Sequence, residues 1–397
     1  MEIAPVILLI LKNWWWLIVA VVLWFPVAFF YLFWLSWDVW YPKFKWVVLE
    51  IKPPKEILKP FKAMEDVFSG LWGIIDLPVW REKWCEGELE LGGGLWFSFE
   101  AVSLGGNTHF YMRCPQKFRD TAESVIYAQY PEAEISQVED YTKNIPQDLP
   151  NKDWNVYAED YQFMKEDPYP IKTYSKFFEE RPEQPKEEKR VDPMDALLEM
   201  YSKVAPDEQL WLQIGCIPIV NLLIPWITRG QEIKNEVTNR PKTRKKKPMV
   251  QEAADILIIG PEEEQKPMDR LEFPLEFRLT PGERETLGSL ETKISKSAYN
   301  SWIRMVHIYK KDKPYLAGKQ YMMRSYLQQF MTENLNSIFY LGVTRTRIHY
   351  VLPSRRIHMR AKRQLRNYIK RVPSYFPKLH GRPTPFIRLK ILGESKG

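Results

Sequence analysis

The sequence predicts an α+β fold behind an amino-terminal transmembrane helix, and three observations carry that expectation. Asn13 to Trp37 form a stretch of 25 residues without a charge, where roughly 20 suffice to cross a hydrocarbon core. A glycine-punctuated hairpin near residue 105 leads into a helix and another strand, the order β-β-α-β. After residue 207 the chain repeats strand and helix in a longer form.

The amino-terminal stretch is too long for a cleavable leader, and no small-x-small site precedes Asp38. Trp14, Trp15 and Trp16 at one end and Trp34, Trp37, Trp40 and Tyr41 at the other stand where aromatic belts form. Pro26 lies mid-span, and Ile3 to Leu11 is too short to cross alone. The leading side offers only Lys12, whereas Lys43, Lys45, Lys52, Lys55, Lys59 and Lys62 follow. Lys/Arg are retained on the cytoplasmic side, so a single-pass protein of the cytoplasmic (inner) membrane is expected, its soluble bulk in the cytoplasm.

Residues 1–42 are thus the expected transmembrane anchor and 43–92 a juxtamembrane connection. Within the connection Ile57, Phe61, Met64, Val67, Phe68 and Leu71 recur at helical spacing, which fits a helix on the membrane or one packed on the domain below. Residues 93–145 form the first α+β unit. Its hairpin runs Leu95–Leu104 and Thr108–Cys114 about Gly105-Gly106, with Ser98 and Glu100 alternating against Phe97, Phe99 and Ala101. A helix follows from about Gln116 to Tyr130, then a strand from Ala133 to Tyr141. This order is the core of a ferredoxin-like unit.

Residues 146–206 read as a Pro- and acid-rich linker, with further strands around Asn155–Phe163 and Ile171–Phe178. A short helix over Met194–Lys203 has Asp192 as its N-cap. Residues 207–375 form the second α+β unit. Its strands are expected at Gln209–Pro218, Ala298–Tyr309 and Ser337–Val351, and residues 229–270 as an exposed insertion. Its helices are expected from Thr280, which with Glu283 matches a capping box, over Ala317–Asn334 and over Ser354–Val372. The whole therefore reads as two tandem, related ferredoxin-like units, closed by a basic tail at 376–397.

Charge is distributed unevenly. The net +7 conceals a carboxyl-terminal quarter, 301–397, with 21 Lys and Arg against Asp312, Glu333 and Glu394, so the remainder is net acidic. Arg345, Arg347, Arg355, Arg356, Arg360, Lys362, Arg363, Arg366, Lys370 and Arg371 are the candidate residues for an anionic partner, with Tyr350, Tyr368, Tyr375 and Phe376 interleaved. Nucleic acid, anionic lipid and an acidic protein face all fit such a run, and so does a solvated surface.

Catalytic signatures are not found. The single Gly-Lys pair, Gly318-Lys319, has Lys313 where a phosphate loop needs its first glycine and Gln320 where it needs a hydroxyl. The histidines His109, His307, His349, His358 and His380 include no pair at i, i+3 or i+4, and there is no Gly-x-Ser-x-Gly elbow. Cys85, Cys114 and Cys216 stand far apart, which favours neither a disulfide framework nor a zinc site. No enzyme activity, cofactor or metal is expected; a hydrolase whose site assembles only in three dimensions is the competing class.

Several runs resemble a known family. Phe97 to Gly106, His109 to Pro115 and Tyr127 to Ile135 are similar to the region ahead of the motor in bacterial conjugation and type IV secretion ATPases. Leu279 to Glu283, Lys293 to Lys296, Ile303-Arg304, Gln329-Phe330 and Asn334 to Asn336 continue the likeness, which covers about residues 95–370. These are scaffold motifs, and the chain ends at Gly397 where such proteins continue into an ATPase domain. The resemblance implies a membrane-anchored scaffold or platform subunit of a type IV secretion-like or DNA-transfer apparatus, acting with a separately encoded motor ATPase. Membrane lipid and that motor are the expected partners, with DNA and a second copy of the chain as further candidates. The alternative is a membrane-tethered nucleic-acid-binding protein without a motor.

Overall fold

The computed structural model describes residues 34–54, 62–75, 79–86, 96–179, 189–190, 192–221, 225–238, 279–312, 318–347 and 352–372, with parts of a helical run over 15–32. Eight strands form its framework: β1 (Trp46–Lys52), β2 (Phe97–Leu104), β3 (Asn107–Pro115), β4 (Glu134–Val138), β5 (Trp154–Phe163), β6 (Glu208–Ile219), β7 (Ala298–Lys310) and β8 (Ile338–Tyr340). The helices are α1 (Ala63–Trp72), α2 (Arg119–Gln129), α3 (Pro193–Ser202), α4 (Trp226–Val237), α5 (Pro281–Ile294), α6 (Gly318–Gln328) and α7 (Pro353–Ile369).

All eight strands join one sheet in the order β8-β5-β7-β6-β2-β3-β1-β4, and every neighbouring pair is antiparallel. The α+β class stands, but the expected pair of tandem ferredoxin-like units is corrected to this single sheet. The cause is the pairing of β2 with β6, in register from Phe97 opposite Cys216 to Leu104 opposite Gln209. That ladder satisfies backbone groups that two separate sheets would leave as open edges. Trp154–Phe163, within the stretch expected as a linker, is an interior strand paired on both sides.

The expected membrane-crossing helix is also corrected. Among the described residues no helix is long and apolar enough to cross a membrane. The helical run changes at Leu35–Trp40 to a wider π-type turn and then to a 3-10 turn at Tyr41–Lys43, with Pro42 inside it. Trp40 is buried, and Tyr41 stacks on Trp96 at 5.5 Å, so this end belongs to the core. Ile3 to Leu11 and Trp14 lie outside the described residues, as does the side chain of Trp37.

Strand alternation divides the interior into two faces. On one, Val47, Leu49, Phe97, Met112 and Cys114 pack against α1 and α2, while Leu210, Leu212, Met305 and Tyr161 pack against α3 and α6. The helix at 63–72 thus packs on the sheet through Val67 and Leu71. On the other face, Val48, Val102, Tyr111, Val156, Ala158, Trp211, Val306 and Ile308 lie beneath α7 and the segment around Tyr141 to Leu149. A smaller cluster, Trp96, Ile217, Trp302 and Val372 with Tyr41 and Trp46, closes one end. Gly215 is required there: a Cβ would fall 2.0 Å from the Trp302 ring.

Local signals explain the element ends. Gly105 (φ 59°) and Gly106 (φ 95°) make the hairpin turn in a backbone region that other residues resist. The Asp192 carboxylate accepts the Met194 amide at 2.8 Å. Thr280 and Glu283 exchange both capping-box bonds at the start of α5. The start of the expected exposed insertion is instead α4, tied to the loop after β5 by Arg229, whose guanidinium donates to Glu166 at 2.7 and 2.9 Å.

Candidate anion-docking surface

Helix α7 holds most of the expected anion-binding residues, and helical geometry splits them into two sets. Ala361, Leu365 and Tyr368 recur at i, i+4 and i+7 and are buried beneath the helix. Arg355, Lys362, Arg363, Arg366 and Lys370 are all exposed. At about 100° per residue they fall within roughly a 100° arc opposite the buried stripe. The helix contains no Asp or Glu, and none of these five makes an ion pair among the described residues. They span about 22 Å at 1.5 Å per residue.

The other basic residues are placed differently. Arg356 and Arg360 are half-buried, and Arg360 donates to the backbone carbonyls of Arg345 (2.8 Å) and Gly342 (3.3 Å). Arg347 is exposed beyond β8. Arg345 turns inward: its Nε donates to the Tyr157 hydroxyl at 3.0 Å, and it lies 3.7 Å from the buried Glu159. Arg324 donates to the same carboxylate at 2.6 Å, and Tyr157 and Tyr161 donate to it at 2.6 and 2.7 Å. Tyr350, Tyr375, Phe376 and the rest of the tail 376–397 lie outside the described residues.

Arg371 departs furthest from the expectation, because it is fully buried and does not share the outer face. Its guanidinium donates to Glu100 at 2.9 and 3.1 Å and to both oxygens of Asp140, one of them at 2.9 Å. Glu100 also accepts from Ser98 (2.9 Å), Gln213 (2.9 Å) and Tyr141 (2.7 Å), whose hydroxyl in turn meets Tyr368 of α7 at 2.7 Å. Burial acts to lower the Arg371 pKa, but Glu100, Tyr141 and Asp140 outweigh it and raise it well above the ordinary value. Burial likewise pushes the Asp140 carboxyl up, and Arg371 and Thr142 together hold it below the usual carboxylate range. Arg371 and Asp140 are therefore both held toward their charged forms, and both carboxylate oxygens of Glu100 are engaged by hydrogen-bond donors.

The backbone at this point is equally specific. Arg371 sits in the left-handed region at φ 52°, where glycine is the usual occupant. Its amide donates to Tyr368 and the Val372 amide to Asn367, the two bonds of a Schellman stop, and Val372 enters the aromatic end cluster. A second buried pair, Arg304 with Asp160 at 2.7 Å, joins β7 to β5, and Gln364 of α7 donates to the same carboxylate. The inner face of α7 is thus fixed to the sheet by two carboxylate clusters, and its cations project outward from a rigid base.

Sequence reasoning missed two groups here. Glu100 reads as a polar position of a half-buried strand, and Glu139-Asp140 as adjacent carboxylates pointing to opposite faces of a strand; Asp140 instead lies beyond that strand and caps the turn at Tyr141–Asn144. Leu352 and Met359, exposed by 65% and 61%, lie in the same arc as the five cations and make the outer stripe mixed rather than purely basic. At the amino-terminal end, Trp15, Trp16 and Trp34 are exposed, together with Leu23, Trp24, Val27 and Phe30. No three His, Cys, Asp or Glu among the described residues are grouped to hold a metal ion. No family model, curated protein or solved structure matches the chain.

Proposed function

We propose that this chain is a non-catalytic platform subunit that works at the cytoplasmic membrane with a separately encoded motor ATPase. Its resemblance to the region ahead of the motor in type IV secretion and conjugation ATPases motivates the motor partner. The observation that carries the docking role is the outer face of α7: five cations without ion pairs among the described residues, on a helix whose opposite side is clamped into the sheet. Each such cation on a fixed helix keeps its charge available to an anionic partner without an added backbone-ordering cost.

The test is purification of the full-length chain from membranes in mild detergent, with mass spectrometry of whatever remains bound. A stoichiometric ATPase is the expected result, and its absence under gentle extraction contradicts the motor partnership. A second reading, nucleic-acid binding without a motor, is favoured by the lack of any carboxylate on α7. It requires DNA affinity that falls steeply with salt. The steepness of that fall should drop by about 0.9 in log–log slope for each phosphate-pairing cation removed, in Lys362→Ala, Arg363→Ala or Arg366→Ala.

A further inference from the structure

The outer stripe of α7 differs from a simple basic patch. From its start it runs Leu352, Arg355, Met359, Lys362, Arg363, Arg366, Lys370. A phosphate backbone gains nothing from an aliphatic side chain standing 65% exposed, nor from a methionine at 61% between cations. An anionic bilayer surface takes both kinds of group: headgroups pair with the cations, and the apolar side chains enter the headgroup–acyl boundary. We propose that this face of α7 docks flat on an anionic lipid surface, which makes it the lipid-reading face of the platform; the inference rests on the membrane location proposed above.

Two further observations bear on the occupant. The carboxyl-terminal end of α7 meets the Trp96–Trp302 cluster through Val372. Tyr41 joins the same cluster, and it directly follows the helical run that exposes Trp15, Trp16, Trp24, Phe30 and Trp34. The carboxyl-terminal end of the basic stripe and the end of the aromatic run therefore meet at one cluster. Tryptophan is the residue that interfaces favour. A lipid surface accounts for both features with one partner, whereas nucleic acid accounts only for the cations. The binding geometry is also prepared in advance: Arg371 and Gln364 hold α7 on the sheet, so the stripe meets the surface without refolding.

Thiol chemistry allows a local test in the full chain. Cys85 is exposed, while Cys114 and Cys216 are buried with thiols pushed up to about 12, so they resist labelling. A Cys85→Ser/Met359→Cys variant thus takes a nitroxide at one place. The labelled chain is reconstituted into nanodiscs of phosphatidylcholine alone or mixed with phosphatidylglycerol, and collision of the label with a water-soluble nickel chelate and with oxygen is measured. In the phosphatidylglycerol mixture the label is expected to lose access to the chelate and gain access to oxygen; in phosphatidylcholine alone it should stay exposed to the chelate. Lys362→Glu, Arg363→Glu and Arg366→Glu together should abolish the shift. Each cation near such a surface contributes about a five-fold gain in partitioning, so even neutralising three weakens it on the order of a hundred-fold.

Equal chelate access in both lipids overturns the proposal. So does shielding that appears only when duplex DNA is added, which would assign the face to nucleic acid. A label shielded by anionic lipid in a chain that recovers no ATPase leaves the lipid face standing and removes the motor partnership, so the two failures are distinguishable. An unchanged thermal midpoint in the triple charge reversal excludes misfolding as the reason for its loss.

Discussion

Arg366 and Arg371 belong to the same basic run, five residues apart, and meet opposite fates. Arg366 is exposed and has no ion pair among the described residues, whereas Arg371 is fully buried between Glu100 and Asp140. The helix ends between them, and the left-handed turn at Arg371 carries its side chain out of the helical stripe and into the sheet. The difference teaches that a run of like charges specifies neither exposure nor function. A carboxylate presented by a distant strand decides which cation becomes part of the core.

The largest expected effect comes from cutting the buried side of this comparison. Arg371→Met leaves Glu100 without its cation inside the core and should cost about 3–5 kcal/mol of unfolding free energy, measured by denaturant titration. Adding Glu100→Gln to that variant should recover part of the loss, because the uncompensated charge is gone; no recovery would mean that the pair is not coupled. Leu365→Ala, which opens a cavity among Trp211, Val306 and Tyr368, should cost about 2–5 kcal/mol.

Acid supplies a milder cut. The Asp140 carboxyl is held below its ordinary value of 3.8, so its contribution is complete above that pH. The contribution is lost as pH falls through the lower folded value. Stability measured from pH 5 downward should therefore decline less steeply in Asp140→Asn than in the native chain. The smallest effect is on the outer side: Arg366→Ala and Lys362→Ala should move stability by no more than about 0.5 kcal/mol. A larger change would show that these side chains have structural partners.

Much of this architecture is legible locally. The Gly105-Gly106 turn, the Asp192 cap, the Thr280–Glu283 capping box and the bounds of β6, β7 and α7 follow from short-range rules, and the structure places them within a few residues. The joining of both halves into one sheet is not legible, because β2 meets β6 across more than a hundred residues and no local pattern reports edge pairing. The alternation in β2 sets Ser98 and Glu100 on the side opposite Phe97 and Phe99, as expected of a half-buried strand. Both are in fact buried, since α7 covers that second face. The amino-terminal aromatic run has the composition of one membrane span, but Trp40 and Tyr41 pack into the core at its end, where apolar character alone cannot distinguish core from lipid. The inner stripe Ala361, Leu365 and Tyr368 is visible as a helical period, whereas the departure of Arg371 from the outer face depends on a partner 271 residues away.

The division of α7 into a clamped side and an open side is tested most directly by arginine-specific dicarbonyl footprinting of the intact folded chain, read residue by residue by mass spectrometry. Arg355, Arg363 and Arg366 should be modified rapidly, while Arg371 and Arg304 stay protected until the chain unfolds. Modification of Arg371 at the same rate as Arg366 would contradict the account.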